Sequence, residues 1–143
     1  MKGKIIFVLM AFILLAGISV LYAGDFKAYP NAKLDPKLTQ EANKMAAEAN
    51  LKTKASIYVT GDSFDKVIAF YQQVGEEYKM PYQTPGKVQK LPSGKELKVA
   101  FFIFDGAKDL ASSQLWAKIQ RPYIGMNMAE GPDKTYINLI DKK

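Results

Sequence analysis

Histidine and cysteine are both missing from the 143 residues of this chain. Without histidine, the chain lacks the one side chain that titrates near neutrality unperturbed, and with it the commonest general base and metal ligand. Without cysteine there is no disulfide, no thiolate nucleophile and no cysteine-linked lipid anchor, so the fold rests on packing alone. Strong charge of one sign is also lacking: 20 Lys and Arg against 14 Asp and Glu give a formal charge of +6, spread evenly. That balance suits solubility or weak attraction to an anionic lipid surface, and it argues against nucleic acid as a partner. These absences point away from bond-making chemistry and towards a binding protein without a cofactor.

What is present begins at the N-terminus, where Met1, Lys2 and Lys4 precede an uncharged apolar stretch from Ile5 to Ala23. A lysine-bearing start followed by an apolar run is the pattern of a secretory signal peptide, so residues 1–23 are expected to direct export, with cleavage after Ala23. Leu21 occupies a position where a second small residue is usual. The alternative is an uncleaved membrane anchor through residues 5–23, since this stretch approaches the ~20 residues that span a bilayer. The lysines hold their end in the cytoplasm and place the following domain outside it in either case, in the periplasm or an equivalent extracytoplasmic space. Taking 23 residues from 143 leaves 120, and losing Lys2 and Lys4 lowers the charge from +6 to +4. That length suits a single domain, expected over residues 35–143 behind a flexible leader at 24–34 rich in Gly, Pro, Asn and charge.

Asp35 before Pro36 is a helix start, and Leu38, Ala42, Met45, Ala46 and Ala49 share one side of a helix expected to reach Asn50. Ala55 to Thr60 is β-branched and aromatic and ends at Gly61, which predicts a strand. Asp62 as cap, Asp65 three positions on, and Phe64, Val67, Ile68, Tyr71, Val74 and Tyr78 at helical spacing predict a long second helix ending at Met80-Pro81. Val88 to Leu91, a turn at Pro92-Ser93-Gly94, and Glu96 to Phe104 read as a hairpin. Its second strand is apolar on both faces, as for a central strand covered by helix on one side and by the first helix or a partner on the other. Gln114 to Gln120 and Thr135 to Ile140 are further strands. The fold class is therefore α+β: an antiparallel sheet of about four or five strands packed against one long helix, with an additional N-terminal helix.

Ser63-Phe64-Asp65-Lys66 has the spacing in which a lysine one helical turn away deprotonates a serine without histidine, but the ordinary role of such residues is to start a helix. Met126 and Met128 offer thioether sulfur for Cu(I), with Met45 or Met80 needed to complete a shell; gap-filling is the commoner use of methionine. Lys87, Lys90, Lys95 and Lys98 cluster on the hairpin as a candidate basic edge facing a partner or lipid headgroups. Lysines there also protect an edge strand from pairing, and Glu96 interrupts the cluster. Glu76 and Glu77 at a helix end, and Asp105 and Asp109 in a loop, do not form a glycosidase pair. Gly86-Lys87 and Gly94-Lys95 lack the spacing of a phosphate loop. Tyr58, Tyr71, Tyr78, Tyr82, Tyr123 and Tyr136, with Trp116, belong to the core or line a groove.

Tyr29-Pro30-Asn31-Ala32 together with the block from Ile57 to Tyr71 (Ile-Tyr-Val-Thr-Gly-Asp-Ser-Phe-Asp-Lys-Val-Ile-Ala-Phe-Tyr) resembles small uncharacterised bacterial exported proteins and lipoproteins. The resemblance implies a helix against an antiparallel sheet and carries no activity. Many such proteins are lipid-anchored through a cysteine that this chain does not have.

The expected function is a non-enzymatic exported domain that binds an envelope or membrane protein, as an accessory subunit of a membrane complex. The alternative is a carrier of a small apolar ligand in an aromatic pocket between helix and sheet. An enzyme acting through Ser63 is the third option.

Overall fold

The computed structural model describes residues 26–82, 88–125 and 127–142; the apolar stretch at 5–23, Lys87 and Met126 lie outside them. In chain order the elements are β1 (Lys33–Leu34), α1 (Pro36–Glu48), β2 (Lys54–Thr60), α2 (Phe64–Val74), β3 (Glu76–Tyr78), β4 (Gln89–Lys90), β5 (Glu96–Ile103), β6 (Leu115–Arg121) and β7 (Thr135–Asp141). The strands pair antiparallel in the order β1-β2-β7-β6-β5-β3, with β4 also on β5. The α+β class holds, but the sheet has seven strands instead of four or five, and α2 at 11 residues is shorter than the 13-residue α1. Strands of two or three residues leave no period-2 pattern to read, which is why β1 and β3 add to the expected number, whereas β4 lies within the expected Val88–Leu91 strand. No helix among the described residues is long and apolar enough to cross a membrane.

The expected long helix stops early because of Gly75. A Cβ built on Gly75 would stand 2.8 Å from Cε1 of Phe104, so the bare backbone lets the chain pass this ring and turn into β3. Glu76 to Tyr78 then pair with Phe101 to Ile103. The α2 cap is Ser63, whose Oγ accepts the Lys66 N–H at 3.2 Å, and not the expected Asp62. Asp62 Oδ2 instead accepts the Tyr29 hydroxyl at 2.6 Å and the Asn31 amide at 3.0 Å. These bonds hold the Asp62 carboxyl below its ordinary pKa and raise that of Tyr29.

The expected leader is thus part of the fold from residue 26. Tyr29 is buried, its N–H donates to the Tyr71 hydroxyl at 3.1 Å, and Phe26 stacks on Tyr71 with ring centroids 6.0 Å apart. With Phe70, Phe102 and Phe104 these rings fill the space between α2 and the sheet, above Ala117, Ile119 and Ile137. Burial of this aromatic area is the main source of cohesion.

α1 buries no residue fully. It lies along the outer edge of β2 and completes hydrogen bonding where the two-residue β1 stops. The Asp35 N–H donates to Ile57 O, and Thr39 Oγ1 accepts the Ile57 N–H at 3.0 Å. Asn43 spans Ala55, its Oδ1 accepting the N–H at 2.8 Å and its Nδ2 donating to the carbonyl at 2.9 Å. Residues four apart on one helix face therefore stand in for a neighbouring strand, and the sheet edge is closed against other chains.

Candidate functional site

The β4–β5 hairpin turns at Gly94, in the left-handed region at φ +87, with the Gly94 N–H on Leu91 O. β5 enters the main sheet at Lys98, opposite Arg121, so the turn and the Gln89–Leu97 pair project beyond the other strands. The hairpin carries Lys90, Lys95 and Lys98 as expected. Two residues of the later chain, Arg121 and Asp133, join Lys95, Glu96 and Lys98 around an open cleft of about 300 Å³.

Arg121 is not free in that cleft. Its guanidinium donates to Asp133 Oδ1 at 3.1 Å, to the carbonyls of Asp62 and Asp133 at 3.0 Å each, and to Thr135 Oγ1. It fastens the start of α2 to the end of β6. Lys95 Nζ is 3.9 Å from Asp133 Oδ2, while Lys90 and Lys98 form no ion pair among the described residues.

The other candidates have structural duties. Lys66 Nζ lies 3.7 Å from Asp62 Oδ2, and Ser63 Oγ is engaged by the helix backbone, so the S-x-x-K spacing forms a cap and a surface ion pair. Asp105 fastens its loop: burial opposes its ionisation, but donors at Gln114, Ser113 and Ala107 outweigh it and keep the carboxyl below its ordinary pKa. Asp109 is held likewise by Ser112. Glu76 and Glu77 stand on β3, where successive side chains point to opposite faces. Met45, Met80 and Met128 are exposed. No group of three or more His, Cys, Asp or Glu among the described residues can hold a metal.

A second surface is the far side of the strand expected to be apolar on both faces. On the sheet face opposite α2, register aligns Ile103, Trp116, Ile140 and Ala55 in one row and Phe101, Lys118, Asn138 and Ile57 in the next. α1 flanks this face at β2, and the 122–134 loop reaches its other end, where Tyr123 packs on Tyr136 at 4.9 Å. Between them Phe101, Trp116, Lys118 and Ile140 remain half-buried. Of the two covers expected for this face, the first helix or a partner, the first helix does not supply it, because α1 spends its packing face on the edge of β2. Lys118 stands among these apolar groups without an ion pair among the described residues, and burial pushes its amine below the ordinary 10.5. Beside it, Trp116 Nε1 and Asn138 Oδ1 are buried without hydrogen-bond partners among the described residues. Such orphans are uncommon and cost about 1–3 kcal/mol each.

The sequence signal for this face was the alternation Leu115-Trp116-Ala117-Lys118-Ile119-Gln120. It resembles an ordinary strand with one solvated side, and only its centrality among the strands makes Lys118 unusual.

Because the folded state depresses the Lys118 pKa, the unfolded chain binds the extra proton at alkaline pH. Stability is therefore expected to rise with pH between the lowered value and 10.5, with the penalty fully present below that window. Lys118→Met should be more stable than the parent at neutral pH and lack this rise, as urea midpoints across the alkaline range will show.

No family model, curated protein or solved structure matches this chain.

Proposed function

We propose that this chain is a non-enzymatic exported domain that binds a protein at the cell envelope, as an accessory subunit of a membrane complex, through the sheet face opposite α2. The observation that carries this reading is the half-open apolar face of Phe101, Trp116 and Ile140 with Lys118, which has no ion pair among the described residues, at its centre. An apolar surface holding one unpaired cation suits a partner that brings apolar side chains around a carboxylate, since burying the ion pair satisfies the charge only when both members are present. Stacking of two copies of this face would place like charges together, which disfavours self-association there. The apolar run at 5–23 and the lysines before it support export, and the resemblance to exported proteins agrees with it.

The ligand-carrier reading has no comparable support, because the space between α2 and the sheet is occupied by Phe26, Tyr71, Phe102 and Phe104. The test is the size of the native species in gently solubilised envelopes of the producing cell. The parent and Lys118→Arg should migrate in a complex larger than 15.9 kDa, and Lys118→Glu should migrate free. Free migration of the parent would refute the proposal.

A further inference from the structure

We infer that the end of the molecule formed by the β4–β5 turn and residues 127–131 is a docking surface for a bilayer containing anionic phospholipid. This surface is separate from the Phe101–Lys118 face and does not depend on it.

Two tips are held side by side. Ser93 Oγ on the hairpin turn donates to Glu130 Oε1 at 2.8 Å, and the loop is closed on itself by Gly131 N–H to Tyr123 O at 2.7 Å and Gly125 N–H to Ala129 O at 3.1 Å. At the apex of that loop Met128 has φ 59 and is 73% exposed. A long apolar side chain in a backbone conformation that favours glycine or asparagine, held out into solvent, is a local cost for which the fold shows no packing return. Val88, beside β4, is likewise exposed at 52%.

The charges around these tips are arranged asymmetrically. Glu130 is engaged by Ser93 and Asp133 by Arg121, and Glu96 stands opposite Lys90 in the hairpin register, whereas Lys90 and Lys98 have no ion pair among the described residues and Lys95 only the 3.9 Å contact. Protruding apolar side chains on joined tips, one of which carries three lysines against a single glutamate, match a lipid interface, where cations meet phosphates and the apolar tips enter the acyl boundary. A soluble polyanion would use the lysines and leave Met128 without a role.

The absence of cysteine makes Pro92→Cys, at the exposed hairpin apex, a unique site for an environment-sensitive fluorophore on the full chain as recovered from an exporting host. The probes are phosphatidylcholine vesicles with and without phosphatidylglycerol, and soluble polyphosphate. A blue shift is expected only with phosphatidylglycerol. Adding Lys90→Gln, Lys95→Gln and Lys98→Gln together should raise the vesicle concentration for half-maximal shift about fivefold per lysine, roughly a hundredfold in all. Met128→Gly should raise it roughly tenfold, with a melting temperature no lower than the parent because the backbone strain is relieved. An equal shift with phosphatidylcholine alone, a response to polyphosphate in place of vesicles, or a Met128→Gly chain that docks like the parent would each overturn the inference.

Discussion

Tyr71→Ala is expected to remove about 3–5 kcal/mol of folding stability, a large share of the roughly 5–15 kcal/mol that holds a domain of this size together. The ring is fully buried and lies within 6.0 Å of the ring centroids of Phe26, Phe70, Phe102 and Phe104, so truncation opens a cavity between α2 and the sheet that its neighbours cannot close. The hydroxyl has a separate task, accepting the buried Tyr29 N–H. Tyr71→Phe keeps the volume and orphans that donor, for an expected loss of about 1–3 kcal/mol. Urea midpoints separate the two effects. Proteolysis at Lys27 should accelerate in the alanine variant, because Phe26 and Tyr29 lose the surface that docks them.

Asn43→Ala should be nearly as damaging, although the residue lies in a helix with no fully buried side chain. It satisfies both the N–H and the carbonyl of Ala55, and the substitution leaves two backbone groups of a closed sheet edge without partners, at an expected cost of about 2–4 kcal/mol. Combined with Thr39→Val, it should detach α1 while the rest of the sheet stays paired. Hydrogen exchange then reports fast amides across Pro36–Glu48, and light scattering reports self-association through the opened β2 edge. If α1 amides stay protected in the double variant, the helix is held by something other than these two side chains.

The parts legible in the sequence are those with strong local chemistry. Asp35 before Pro36 marks the start of α1, and Asp35 Oδ1 does accept the Leu38 N–H. β-branched and aromatic residues mark β2 and β7, and the alternation of Leu115 to Gln120 marks β6. The illegible parts depend on distant residues. Tyr78 continues the helical spacing of α2, but the helix ends where Gly75 must pass Phe104, a residue almost thirty positions later in the chain. Tyr29 looks like part of a mobile leader until Asp62 and Tyr71 are beside it.

The candidate sites divide in the same way. The lysines of one hairpin are close in sequence and remain close in space. Arg121 and Asp133 join their cleft only through strand register and a long loop, and a lysine in the middle of β6 becomes unusual only when β5 and β7 flank it with Phe101 and Asn138.

The proposed partner contact centres on the face that holds Lys118. A photoreactive amino acid placed at Phe101, with a control at exposed Ala69 on α2, tests it in intact cells of the native producer. Position 101 should give a crosslinked species that contains a membrane or envelope protein, lost when Lys118→Glu is added, and position 69 should give none. No adduct at position 101, or the same adducts from both positions, would contradict it.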